Sequence, residues 1–116
     1  MDLQGARLER RLEMYRARVN ERLRTNRAAV EALYAGGQLF SPQGTRAGRA
    51  LLRAQQLLQR ADTLVEHLSG EGVVPAPRLP ESREAHYREL DTLLARADAL
   101  SGRQHRAASV ARLPGR

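Results

Sequence analysis

The sequence contains no cysteine, no lysine, no isoleucine and no tryptophan. Without cysteine the chain forms no disulfide, supports no thiol catalysis and offers no cysteine ligands for zinc or an iron–sulfur cluster. It has no apolar run long enough to cross a membrane. The first residues, 1–5, are not followed by the apolar segment of a signal peptide. We therefore expect a cytoplasmic protein.

Aromatic residues are also scarce, with one Phe and three Tyr. The apolar supply is mostly Leu, Ala and Val. At 116 residues the chain is one domain at most. A helical hairpin with such a core buries little apolar surface on its own. We therefore expect the chain to self-associate, as a homodimer or a higher oligomer.

The positive charge comes entirely from arginine: the net charge is +7, and all 20 basic residues are Arg. The absence of Lys and Ile is typical of a GC-rich coding bias, so it says little about a partner. Arginine and acidic residues are mixed along most of the chain, whereas residues 102–116 hold four Arg and no acid. Because nucleic-acid binders concentrate Arg on one face beside aromatic stacking groups, nucleic acid is not the expected partner.

Hydrophobic periodicity predicts an all-α fold that begins with a long antiparallel helical hairpin over residues 1–69. Apolar residues recur every three or four positions from Leu3 to Ala35, and a Gly pair follows them. Ser41 and Pro42 predict the N-cap and first residue of a second helix. The short segment between the two helices predicts the bend of the hairpin.

The second helix is predicted to run to Leu68, before Gly70. An unbroken heptad spacing of four and three predicts its packing seam. The seam residues are Ala47, Leu51, Ala54, Leu58, Ala61, Val65 and Leu68. A second apolar row of Ala50, Leu57 and Leu64 widens this face enough for two neighbouring helices, which also favours a dimer.

A Pro/Gly-rich connector over residues 70–80 precedes a third predicted helix. That helix is expected over 81–101 and to end at Gly102. Residues 102–116 have no sustained period and are predicted to form a flexible basic tail. The sequence alone does not say how the third helix packs.

The start of the second helix is a candidate anion site. Arg46, Arg49 and Arg53 share one face near the positive end of the helix dipole, where they are mildly unfavourable without an anion. Two nearby glycines add a cost in helix stability. Together with Thr45 and free backbone N–H groups, these arginines suit a phosphate. The alternative is that an acid such as Glu21 pairs with them, or that they are solvated.

Asn26 interrupts the apolar stripe of the first helix. A single buried Asn often fixes the register of a helix pair. The alternative is that its amide binds a polar ligand. Tyr34 and Phe40 flank the bend near the arginines, where they could hold a planar ring or simply plug the end of the hairpin.

No catalytic motif is present: there is no Ser/His/Asp arrangement, no P-loop and no dinucleotide-binding glycine fingerprint. The three histidines lie on three different segments. Pairing of the second and third helices would bring His67 near His86. Neither has an acid at the Glu-x-x-His spacing of a di-iron bundle, so no metal centre of that kind is predicted.

The end of the chain, residues 108–114, resembles the targeting peptide of encapsulin cargo proteins, whose core is Leu-Thr-Val-Gly-Ser-Leu. Ser109 and Val110 take the places of Thr and Val, and Leu113 takes that of the final Leu. The chain departs from the peptide at the first Leu and at Ser, where it has Ala and Arg.

This layout resembles the small all-helical flavoproteins carried as cargo in encapsulin compartments. The resemblance implies an FMN-binding dimer that reduces ferric iron with NAD(P)H and is bound to the shell protein by its C-terminal tail. No flavin motif of the family can be matched here, so Thr45, Arg46, Arg49, Asn26, Tyr34 and Phe40 remain candidates from the residues alone. The alternative function is a non-enzymatic helical adaptor or structural subunit that binds a partner protein.

Overall fold

A computed structural model describes residues 3–37, 41–71 and 75–111, with side-chain surroundings from 10 to 102 except in the gaps and at Gln43. The described residues form three helices and no strand, which confirms the predicted all-α class. These are α1 (Leu3–Ala35), α2 (Pro42–Ser69) and α3 (Pro80–Ala111). None of them is both long enough and apolar enough to cross a membrane.

The predicted helix boundaries of α1 and α2 are confirmed by their caps. Gly37 follows α1 with φ +67°, the left-handed conformation that glycine adopts without strain. Ser41 caps α2 because its Oγ accepts a hydrogen bond from the Gly44 N–H at 2.9 Å. Gly70 ends α2 with φ +80° in a Schellman arrangement, in which the Gly70 and Glu71 N–H groups donate to carbonyls of the last turn.

The predicted end of the third helix is wrong, because α3 passes through Gly102 and continues to Ala111. Gly102 does not have a positive φ, so it forms no left-handed cap. A mid-helix glycine costs only about 1 kcal/mol relative to alanine. The three alanines between 103 and 111 are strong helix formers, and no proline intervenes before Pro114. The segment predicted as a tail is therefore helical in its first part.

The core lies where α2 packs against α1 on one side and α3 on the other. All seven predicted seam residues of α2 are buried, as the heptad pattern predicted. They meet two clusters, one from each neighbouring helix. The α1 cluster is Leu12, Tyr15 and Val19, and the α3 cluster is Tyr87, Leu90, Leu93, Leu94 and Ala97.

The wide apolar face of α2 has both of its neighbours within one chain. Leu57 and Leu64, from the second apolar row, are partly buried against the same core. The third helix therefore packs on the hairpin and occupies the surface that favoured a second copy of the chain. The width of this face no longer argues for a dimer, and the dimer stays a prediction.

Candidate functional site

The first turns of α2 carry three exposed arginines, Arg46, Arg49 and Arg53, which we call the arginine face. The three side chains recur at helical spacing on the side of α2 that faces away from its buried seam. Among the described residues none of the three has a carboxylate within ion-pair distance, so the predicted pairing with Glu21 is not seen. The guanidinium of Arg46 makes one long contact, from Nε to the Pro42 carbonyl at 3.5 Å.

The backbone at the start of α2 is already used within the chain. The Gly44 N–H bonds to the Ser41 cap, and the Thr45 N–H donates to the Ser41 carbonyl at 2.8 Å. The Thr45 hydroxyl donates to the same carbonyl at 2.9 Å. An anion at this end would therefore be held by arginine side chains more than by backbone N–H groups. Gly44 and Gly48 are both buried, so close packing accounts for them without a ligand.

Asn26 is fully buried between α1 and α2. Its Nδ2 donates to the Leu51 carbonyl at 2.9 Å and to Gln55 Oε1 at 3.0 Å. Its Oδ1 has no hydrogen-bond partner among the described residues. A ligand on the exposed arginine face has no access to this amide. The contacts are those expected of a residue that fixes the register of a helix pair.

Of the two predicted ring-binding residues, the structure describes only Tyr34, and it does not lie in the buried environment of Asn26. Tyr34 has an exposed fraction of 77% at the end of α1, and Phe40 lies outside the described residues. Of the predicted targeting residues, Ser109 and Val110 belong to the last turns of α3, where the structure describes the backbone only. Leu113 lies outside the described residues.

A ladder of polar contacts joins α1 to α3, and sequence analysis did not predict it. Its members run in the same order along both helices, which are therefore parallel. The guanidinium of Arg11 makes two hydrogen bonds to Glu84, at 2.8 and 3.0 Å. The Tyr15 hydroxyl donates to Asp91 at 2.6 Å. The guanidinium of Arg22 makes two more to Asp98, at 2.8 and 3.1 Å.

The first two contacts enclose an aromatic pair. The rings of Tyr15 and Tyr87 stack with centroids 5.3 Å apart, and Arg11 lies over the Tyr87 ring at 4.1 Å. Burial, reinforced by the hydrogen bond to Asp91, raises the pKa of Tyr15 above its ordinary value. The hydrogen bonds from Arg11 lower the pKa of Glu84. These interactions pair the polar groups of α1 with acidic side chains of α3.

A signal for this ladder was present in the sequence. The acids Glu84, Asp91 and Asp98 repeat every seven residues along α3. That spacing places them on one flank of the helix, beside the apolar stripe. Their partners on α1 could not be read from the sequence, because the contacts join residues 73 to 76 positions apart.

Beside the last of these contacts, α1 and α3 enclose a polar groove of about 230 Å³. It is lined by Glu21, Arg22, Thr25, Asp98, Ser101 and Gly102. Pockets that bury a drug-sized ligand are usually about 300–1,000 Å³ and mostly apolar. This groove is smaller and more polar than such pockets.

Within the part of the chain that the structure describes, no group of three or more His, Cys, Asp or Glu side chains could hold a metal ion. The structure does bring His67 of α2 beside His86 of α3, with ring centroids 5.3 Å apart.

Comparison with known proteins adds no relative: no protein-family model matches the chain, and no curated protein or solved structure is similar to it. The resemblance to encapsulin cargo therefore stays a prediction, and function has to be argued from the geometry.

Proposed function

We propose that this protein is a non-enzymatic binding module that docks an acidic partner protein on the arginine face of α2. The observation that carries the proposal is the contrast between two sets of arginines. Arg11, Arg16 and Arg22 reach carboxylates within the chain. The arginine face is exposed and reaches none among the described residues, so its charge is available to a partner.

The surroundings of the arginine face strengthen its positive potential. No acidic residue occurs between Glu31 and Asp62. A surface of one sign attracts partners of the opposite sign and speeds their association.

Two features favour a protein partner over a nucleic acid. Leu52 has an exposed fraction of 58% and lies between Arg49 and Arg53 in sequence. An exposed apolar residue rimmed by arginines is typical of protein interfaces, in which Arg is enriched. α2 contains no Phe, Tyr or Trp on which a base could stack.

The test uses a fluorescein-labelled helical peptide with Glu along one face and Leu at helical spacing. Its affinity is measured by fluorescence anisotropy at two salt concentrations. The variant Arg46→Gln/Arg49→Gln/Arg53→Gln should bind the peptide roughly tenfold more weakly, since each exposed ion pair contributes about 0.2–1 kcal/mol. Leu52→Ala should weaken binding further without changing the salt dependence.

The matched control is Arg10→Gln/Arg18→Gln/Arg78→Gln, which removes the same charge from exposed positions. This control should leave peptide affinity nearly unchanged. Equal losses in the two triple variants would reduce the effect to net charge and overturn the proposal. Binding of a mixed-sequence DNA duplex tighter than of the peptide would favour nucleic acid instead.

The second candidate is the one the encapsulin resemblance implies: an FMN-dependent NAD(P)H:ferric-iron reductase delivered to a shell. Arg46 and Arg49 favour it, because exposed arginines one turn apart suit the FMN phosphate. Tyr34, one of the two side chains proposed for the ring, is exposed at the end of α1, so it would stack on a ring only at the surface or against a second copy of the chain. We therefore derive no redox step through the ring.

Comparing FMN with riboflavin separates this candidate from the first, because the two ligands share the ring and differ in the phosphate. Arg46→Ala and Arg49→Ala should each lower the affinity for FMN by roughly ten- to a hundredfold, which corresponds to the loss of one charge-assisted hydrogen bond. Riboflavin binding should change little. Light scattering with and without FMN would report the dimer. Colourless protein that takes up no FMN would leave the binding module as the sole candidate.

A further inference from the structure

The histidine pair His67–His86 lies at the opposite end of α2 from the arginine face. The two rings come from different helices and are half-buried, so they contact each other yet remain open to solvent. Their centroids are 5.3 Å apart and their planes are inclined by 41°. The rings are therefore neither stacked flat nor separated by other side chains.

The hydrogen bond made by His86 fixes which of its ring nitrogens is available. Nδ1 lies 2.6 Å from the Ser82 carbonyl. A carbonyl only accepts hydrogen bonds, so Nδ1 carries the proton. In the neutral ring Nε2 then has a free lone pair. Histidines that bind metals usually donate the other ring N–H to a carbonyl or carboxylate in this way, which sets the tautomer and the ring orientation.

The helices that carry the two rings are tied together at this level. Arg83, one turn before His86, donates from Nη1 to the carbonyls of Leu68 and Pro77, both at 3.2 Å. Leu68 is the residue after His67. This contact, together with the Gly70 cap, holds the end of α2 against the start of α3. These contacts fix the relative position of the two helices at the level of the rings.

The ring separation suits chelation by one ion. With Zn–N bonds of about 2.0–2.1 Å, a tetrahedral ion held by two imidazoles places their centroids roughly 5 Å apart. No carboxylate is available to form a group of three ligands among the described residues. The site would therefore select an ion that prefers imidazole over oxygen ligands.

We propose that His67 and His86 form a two-ligand site for Zn²⁺ that bridges α2 and α3. The remaining two positions of the tetrahedron are open to water. Because Zn²⁺ joins the two helices only when they are paired, it stabilises the folded chain. This site is independent of the arginine face and of any flavin.

The test titrates Zn²⁺ into the full chain by calorimetry. We expect one ion per chain, no binding of Mg²⁺, which prefers oxygen ligands, and a melting temperature that rises with Zn²⁺ concentration. His86→Asn keeps a donor for Ser82 and removes Nε2. His86→Asn and His67→Asn should each lower the Zn²⁺ affinity by at least roughly 10–100-fold, which is the effect of losing an outer-shell partner of a metal ligand. The matched control, His105→Asn, should bind Zn²⁺ like the parent.

NMR of the parent chain gives a readout that does not depend on whether the variants fold. Zn²⁺ should shift the imidazole signals of His67 and His86 together, at one equivalent, and leave those of His105 unchanged. The proposal is overturned if Zn²⁺ shifts all three rings alike, if it produces no binding heat at millimolar concentration, or if either single variant binds as tightly as the parent.

Discussion

Replacing Asn26 with leucine should stabilise the protein, although it removes two hydrogen bonds. The amide is fully buried, and its Oδ1 has no partner among the described residues. A buried polar atom without a partner costs about 1–3 kcal/mol. The substitution Asn26→Leu removes that cost and places apolar volume at a seam position.

The free-energy costs of the substitution are modest. The two neutral hydrogen bonds from Nδ2 contribute about 0.5–1.5 kcal/mol each. After the substitution Leu51 O keeps its bond within α2, and the half-buried Gln55 can turn to water. Burying a leucine side chain contributes about 1.5–3 kcal/mol, and overpacking takes back about 1–3 kcal/mol. At the midpoints of these ranges the terms nearly cancel, which leaves a net gain of less than about 1 kcal/mol.

Urea unfolding followed by circular dichroism measures this gain, and thermal melting should show a rise of less than about 4 °C. Asn26→Ala is the matched comparison: it removes the same hydrogen bonds, adds no volume and should cost about 1 kcal/mol. If Asn26→Leu is less stable than the parent by 1 kcal/mol or more, Oδ1 is satisfied in solution. The amide would then be a stabilising element of the α1–α2 pair.

Four further predictions follow from the packing and the polar contacts. Tyr15→Phe should lower the free energy of unfolding by roughly 1 kcal/mol at neutral pH. Burial raises the pKa of Tyr15, so the parent should lose stability above pH 10.0, and Tyr15→Phe should remove that loss in urea unfolding measured at several pH values. Arg11 lowers the pKa of Glu84, so Glu84→Gln should flatten the loss of stability as the pH falls below 4.5. Ala54→Leu should cost about 1–3 kcal/mol in urea unfolding, because it overpacks a fully buried crossing, and unchanged stability would contradict that close crossing. Deleting residues 103–116 should abolish loading into an encapsulin shell in co-expression, and retained loading would refute the targeting role.

The sequence predicted best what local chemistry controls. The Ser41 cap, the Gly70 cap and the α2 seam each depend on residues within a few turns, so their patterns could be read directly. The end of α3 was predicted wrongly, because it depends on a backbone angle and not on residue type alone. A glycine ends a helix only if it adopts a positive φ, and residue type does not decide the φ at Gly102.

The candidate site was only half predictable. The arginines at the start of α2 could be recognised because their spacing alone places them on one face. The use of the Gly44 and Thr45 N–H groups by Ser41 was implicit in the predicted cap, and it weakens the case for a backbone anion site. The pairing of Asn26 with Leu51 and Gln55 depends on the register of two helices, which periodicity does not give.

The ladder between α1 and α3 helps to fix the register of the helices, which the composition of the core leaves poorly defined. A core built mainly from Leu, Ala and Val has few distinctive shapes, so helices packed on it could slide with little loss of apolar contact. Polar pairs across the seam reduce that freedom, because a shift of one helical turn breaks them.

The cost of sliding can be followed residue by residue. If α3 moved by four residues, Arg11 would face Arg88 in place of Glu84, and Arg22 would face Gly102 in place of Asp98. One attraction would become a repulsion and another would vanish. Exposed pairs contribute only about 0.2–1 kcal/mol each, yet the three contacts together separate the two registers by about 1–3 kcal/mol, a factor of roughly 5 to 150 in population. A ladder that adds little to stability can therefore decide which of several similar bundles forms, and with it the angle at which α2 presents its arginine face.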